Sequence, residues 1–192
     1  MKRLFAVSLI ACATFVPASL AQSQPSAGWE VGAGYNYVHT NAPPAACGCF
    51  SMNGGVASVA RQFTPRFGVE AEVNGVYNAN VNATGQSLTL YTYVAGPRYR
   101  FTPTRRVGPY AQVLVGASHA SGGLYGTATS ATGTANAFAT SLGGGIDLAI
   151  SKHVALRLIQ ADYLLTLLPN NVNSRQNNVS LSTGFVIRFA AK

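Results

Sequence analysis

Apolar and polar positions alternate along most of the chain, and a period of two marks a strand with two unlike faces. In the first such segment Trp29, Val31, Ala33, Tyr35 and Tyr37 share one face, and Glu30, Gly32, Gly34 and Asn36 share the other. The third segment sets Phe67, Val69, Ala71, Val73 and Tyr77 against Gly68, Glu70, Glu72 and Asn74. The fourth sets Tyr91, Tyr93, Ala95, Pro97, Tyr99 and Phe101 against Thr92, Gly96, Arg98 and Arg100. Phe138, Leu142, Ile146, Leu148 and Ile150 oppose Ser141, Gly143, Gly145 and Asp147 in the sixth. In the eighth, Val179, Leu181, Phe185, Ile187 and Phe189 oppose Ser180, Ser182, Gly184 and Arg188. Segments two (Met52 to Phe63), five (Pro109 to Ser118) and seven (Val154 to Tyr163) alternate less cleanly. A β-bulge at Leu158-Ile159 places Arg157, Gln160 and Asp162 on one face. Pro97 has no N–H to give a ladder, so a local irregularity is expected there.

The connections alternate in length. Thr64-Pro65-Arg66, Thr102 to Arg106 and Ser151-Lys152-His153 are short; His39 to Ser51, Asn78 to Ser87, His119 to Ala135 and Leu164 to Asn177 are long. The run from Ala120 to Ala135, rich in small residues, reads as unstructured. Short turns at one end and long polar loops at the other predict an all-β, eight-stranded antiparallel up-and-down barrel that crosses a membrane.

The faces decide between lipid and water. A soluble barrel points its apolar face inward. Here the opposite face is crowded with glycine and serine, as a narrow lumen shared by eight strands requires. All five acidic residues, Glu30, Glu70, Glu72, Asp147 and Asp162, fall on strands and none on a loop. Buried charge must be paired, so a lumen network is expected with Arg98, Arg100, Arg157 and Arg188. Setting Phe67 level with Phe101 makes Glu70 face Arg98; setting Trp29 level with Phe189 makes Glu30 face Arg188. The plain reading of these pairs is structural. Trp29, Phe67, Tyr99, Phe101 and Phe189 at one end, with Tyr35 and Tyr37 at the other, fit the two interfacial girdles of such a barrel.

Composition supports this. Only 9% of the residues are charged, against about a quarter in soluble domains. No apolar run after residue 21 approaches the roughly 20 residues of a spanning helix. Residues 1–21 read as a cleaved signal peptide: basic Lys2 and Arg3, apolar Leu4 to Val16, and small residues at Ser19-Leu20-Ala21. Residues 22–192 then form the barrel domain. The alternatives are an uncleaved first helix and lipidation at Cys12, although the apolar stretch before Cys12 is very short. Without Lys2 and Arg3 the formal charge falls from +8 to +6. The basic residues are dispersed, which argues against nucleic acid as a partner. Cys47 and Cys49 share a loop, where export permits a disulfide. They are too few for a metal site, and no cofactor or metal is expected.

Taken together, these segments resemble the OmpA-type eight-stranded outer-membrane barrels. Gly96-Pro97-Arg98-Tyr99-Arg100-Phe101 looks like the fourth strand of that family, and Ser182 to Phe189 resembles its terminal signal. Cys47-Gly48-Cys49-Phe50 and Asp162-Tyr163 resemble small acidobacterial-type barrels. The resemblance implies outer-membrane localisation, outer-membrane lipids and the barrel assembly machinery as partners, and Gly184, Ile187 and Phe189 as the assembly signal. The tail Ala190-Ala191-Lys192 departs from the family, whose chains usually end on the aromatic. No peptidoglycan-binding domain follows the eighth strand, so that role is not carried over.

Three functions compete. A filled lumen gives no wide channel, which favours a non-enzymatic structural or surface-interaction barrel acting through its loops on a partner the sequence does not name. A lipid-modifying deacylase or acyltransferase needs a nucleophile and base within reach, and His39, His119 and His153 lie in no matching motif; His119-Ala120-Ser121 is nearest. A soluble lipocalin-like binder conflicts with inward carboxylates.

Overall fold

The computed structural model describes residues 28–42, 48–103, 105–125, 132–169 and 174–190. Eight strands form one closed antiparallel barrel in chain order. They are β1 (Gly28–Ala42), β2 (Gly48–Gln62), β3 (Phe67–Asn78), β4 (Leu88–Arg100), β5 (Val107–Gly122), β6 (Gly133–Ala149), β7 (Val154–Thr166) and β8 (Gln176–Ala190). Closure pairs β1 with β8 from Gly28↔Ala190 to Asn41↔Asn177, so no strand edge is left with unpaired backbone groups. At the seam Gly34 lies opposite Gly184. A Cβ on Gly34 would lie 2.1 Å from the Thr183 carbonyl oxygen, and one on Gly184 2.2 Å from that of Ala33. Only glycine allows that approach.

Apolar side chains point outward, as the alternation requires. Trp29, Val31, Tyr35, Phe67, Val69, Val73, Tyr93, Tyr99, Phe138, Leu142, Phe185 and Phe189 are exposed on the outer wall, while Glu30, Glu70, Arg98, Asp147, Arg157 and Arg188 are buried inside. This is a lipocalin turned inside out. Phe67 to Tyr77 spans roughly 25 Å along the barrel axis at the usual rise and tilt, the height of an outer-membrane apolar band.

The bulge in β7 is present. Ile146 pairs with Ile159 and Asp147 with Arg157; on the other side Arg157 pairs with Gly184 and Gln160 with Ser182. Leu158 and Ile159 therefore both face outward, and Arg157, Gln160 and Asp162 all face in. At Pro97 the β4–β5 pairing skips from Ala95↔Val115 to Arg98↔Gln112 without a change of register. The missing N–H leaves a gap, not a bulge.

Two expectations need correction. Two of the expected long connections begin and end as paired strand. β1 and β2 remain paired through His39↔Ser51 to Ala42↔Gly48, and β5 and β6 pair through Ala120↔Ala135 to Gly122↔Gly133. The run from Ala120 to Ala135 is thus structured at both ends, with a single 3-10 turn at Gly123–Tyr125; residues 126–131 lie outside the described residues. Backbone pairing needs no apolar side chain, so polar residues facing water read as loop from sequence. The second correction is register: Phe67 is level with Tyr99, not Phe101, and Glu70 with Gly96, not Arg98. Phe101 belongs to the following turn, where its N–H donates to the Pro109 carbonyl at 3.0 Å. Strand stagger in a tilted barrel keeps neighbouring ends from lying level.

Above the aromatic belt the polarity of the wall reverses. Val38, Phe50, Met52, Val76, Leu88, Leu90 and Ala120 point inward and form one buried cluster. Val81, from the 3-10 turn Val81–Ala83 between β3 and β4, and Leu168 close it. Gly85, at φ +75°, lets the chain return from that turn into β4. On the same stretch His39, Asn53 and Asn136 are exposed outside. Gln176 finishes the plug by clamping Leu168: it donates to the Leu168 carbonyl at 2.9 Å and accepts from the Leu168 N–H at 3.0 Å.

Candidate functional site in the barrel lumen

The lower lumen is built around Arg98, which β4 presents inward and which is 1% exposed. Its guanidinium reaches three carboxylates on three strands: Asp147 at 2.8 Å, Glu70 at 3.1 Å and Glu30 at 3.6 Å. Arg157 bonds Asp147 at 3.1 Å and approaches Glu70 at 3.6 Å. Arg188 donates to Glu30 at 2.8 Å and comes within 3.9 Å of Asp147. Arg100 donates to Glu30 as well. Glu30 thus faces its register partner Arg188, whereas Glu70 meets Arg98 diagonally on the neighbouring strand, two residues beyond its own register partner Gly96. Low dielectric makes such a set costly to assemble and more costly to break, because removing one partner strands the others.

Glu72 and Asp162 are brought to the same lumen but not to the arginines. Gln160 donates to both, at 2.7 Å each. Asn74 donates to Glu72 at 2.8 Å and Gln112 to Asp162 at 3.2 Å. Gln160 also accepts from Arg157 at 2.7 Å and from the Tyr110 hydroxyl at 2.6 Å. It joins the arginine cluster to the carboxylate–amide layer above.

Sequence reasoning missed Tyr110 and Gln112, because β5 carries small and apolar residues on both faces. The Tyr110 ring lies under Arg98, 3.7 Å from guanidinium carbon to ring centroid, with Arg157 at 5.0 Å. Room for the ring comes from Gly145, its register partner, where a Cβ would lie 2.8 Å from the Tyr110 hydroxyl. The Gly143-Gly144-Gly145 run opposite a tyrosine was the available signal.

This arrangement holds charge in fixed pairs. The cavity lined by Gly32, Ser58, Arg157, Ser182 and Gly184 has a volume of about 10 Å³, room for about one water. Among the described residues no group of three or more metal-ligating side chains converges. The remaining sites are placed as follows. Gly184 lies at the β1–β8 seam, and Ile187 and Phe189 face outward near the short-turn end. Cys49 sits in the first residues of β2; Cys47 and residues 1–21 lie outside the described residues, so the disulfide and signal-peptide expectations fall there.

The sequence profile of the outer membrane protein beta-barrel domain matches residues 8–186. The chain belongs to this outer-membrane barrel family. Its place is therefore the bacterial outer membrane, with apolar strands toward lipid. Solved barrels share the fold. Neisserial surface protein A is 16% identical, with a TM-score of 0.66 over 84% of this chain and 97% of that one. The attachment invasion locus protein Ail of Yersinia pestis, solved with the heparin analogue sucrose octasulfate, is 16% identical, with a TM-score of 0.61 over 85% of this chain and 99% of that one. OprG of Pseudomonas aeruginosa is 10% identical, with a TM-score of 0.53 over 88% and 99%. A comparison with curated proteins gives no match.

Proposed function

We propose that this barrel is a non-enzymatic structural and surface-contact protein whose contacts are made at its loop end. The supporting observation is the polarity reversal: strands continue past the aromatic belt with His39, Asn53 and Asn136 facing out around an apolar plug. That end is a rigid platform in water. It is also nearly uncharged, since Arg175 is the one Lys, Arg, Asp or Glu in the four loop-end connections. The sulfated sugar in the Ail structure belongs to that protein; a neutral rim suits hydrogen bonding to an uncharged surface instead. The test is adhesion and autoaggregation of cells displaying the barrel. Replacing residues 43–47 and 126–131 with short glycine-serine turns should abolish adhesion and leave heat-modifiable mobility intact, and adhesion should persist at high salt. Adhesion that survives the replacement sinks the reading.

One observation favours a second reading, an enzyme acting on lipid. The His39 Nδ1 lies 3.1 Å from the Ser51 Oγ on the outer wall, the pairing of base and nucleophile that such an enzyme requires. No carboxylate is available to orient the imidazole, because all five lie in the lumen. Ser51 also shares a hydrogen bond with Tyr37 at 2.6 Å. Hydrolysis of an ester-linked lipid that disappears in Ser51→Ala would establish the enzyme reading.

A further inference from the structure

The three short turns follow one plan. Each begins with an exposed apolar side chain, Phe63, Phe101 or Ile150, and each places exposed cations two to five residues later: Arg66, Arg105 with Arg106, and Lys152. Phe-Thr-Pro opens two of the three, at 63–65 and at 101–103. Hydroxyl groups shape the turns. Thr64 Oγ1 accepts from the Phe67 N–H at 2.8 Å, Ser151 Oγ accepts from the Val154 N–H at 3.1 Å, and Thr102 Oγ1 donates to the Val107 carbonyl at 2.9 Å. Arg106 Nε donates to the Ala149 carbonyl at 3.2 Å, tying the second turn to the end of β6.

A further cation lies just above the turns. Arg61 points out of the wall beside its register partner Trp29, its guanidinium 5.0 Å from the ring centroid. Trp29 belongs to the aromatic girdle that marks the headgroup level. The cations at this end therefore stand at or just beyond the plane where lipid phosphates lie. No acidic side chain opposes Arg61, Arg66, Arg106 or Lys152, because Glu30, Glu70, Glu72, Asp147 and Asp162 are all sealed in the lumen.

We propose that this rim is a binding surface for anionic phospholipid headgroups of the leaflet that faces the periplasm. The apolar residue of each turn sits among acyl chains, and the cation that follows meets the phosphate. Guanidinium groups bind phosphate in a fork and ammonium as a point charge. The opposite end carries only Arg175 in its connections, so the preference is confined to one leaflet.

The test uses the protein purified from outer membranes and placed in nanodiscs of phosphatidylethanolamine, with spin-labelled phosphatidylglycerol or spin-labelled phosphatidylcholine as probe. Basic residues near a membrane surface attract anionic lipid by about fivefold each at low salt. The wild type should hold phosphatidylglycerol several-fold more tightly than phosphatidylcholine, and high salt should erase the difference. The triple variant Arg61→Gln, Arg66→Gln, Lys152→Gln should lose most of it while keeping heat-modifiable mobility; Arg175→Gln should keep it. The salt arm on wild type serves if the triple variant does not fold. Equal retention of both probes by wild type, a salt-insensitive preference, or loss in Arg175→Gln would overturn the proposal. So would peptidoglycan fragments displacing the labelled phosphatidylglycerol, which would reassign the rim to the cell wall.

Discussion

The two halves of this barrel solve opposite problems with one sheet. In the membrane the wall is apolar outside and charged inside; above it the same strands are polar outside and apolar inside. The lower half closes around Arg98 and its three carboxylates. The upper half closes around Met52, Val76 and Leu90. Solvent, not topology, sets which face is apolar. The backbone ladder is indifferent to the change, since strand pairing runs through both halves without interruption at the boundary.

Breaking the lower half should cost most. Arg98→Met removes one cation from Glu30, Glu70 and Asp147 together, and losing a partner from a buried ionic set costs about 3–5 kcal/mol. Urea unfolding of the refolded barrel, read by gel mobility with and without boiling, would measure it. A loss below about 1 kcal/mol would mean that lumen water screens the cluster.

The outer wall offers a sharper cut. Val73, exposed near mid-height of the apolar band, should lose about 2–4 kcal/mol on Val73→Arg, against about 0–1 for Asn136→Arg above the belt. Equal costs would put the membrane boundary elsewhere. Inside the plug, Met52→Ala should cost at least about 2 kcal/mol. Hydrogen exchange should then rise at the ends of β1 and β2 and stay slow around Glu30, because local opening follows local packing.

Much of this was legible in the sequence. Alternation gave the eight strands, and the clustering of every carboxylate on strands pointed to the charged lumen. The bulge at Leu158-Ile159 was readable because it restored Asp162 to the polar face. The plug was not. Where polarity reverses along a strand, apolar residues fall on successive positions, as at Tyr37-Val38, Val76-Tyr77 and Leu90-Tyr91. Such pairs look like the end of a strand, and here they mark the membrane boundary. The partnership of Arg98 with Glu70 was expected as a level pair and is made as a diagonal one, because its geometry depends on stagger and side-chain length, which period-two reading does not contain.

The expected assembly signal and the seam meet at Phe189, level with Trp29. Phe189→Ala should slow insertion, while removal of residues 190–192 should not; the rate of appearance of the heat-modifiable form measures both. At the next register pair, Glu30 and Arg188 share the seam through a 2.8 Å bond, and their coupling should be the smallest effect. Glu30 also accepts from Arg100 and lies near Arg98, so losing Arg188 leaves Glu30 still compensated. Losing Glu30 leaves three arginines facing one another with Glu70 and Asp147 to share. Glu30→Ala should therefore cost more than Arg188→Ala. The double variant should cost about 1–2 kcal/mol less than the sum of the two, within the range for groups in one network. Additive costs would place the stability of the seam in its backbone ladder and the glycine contact of Gly34 with Gly184, with the ion pair contributing nothing.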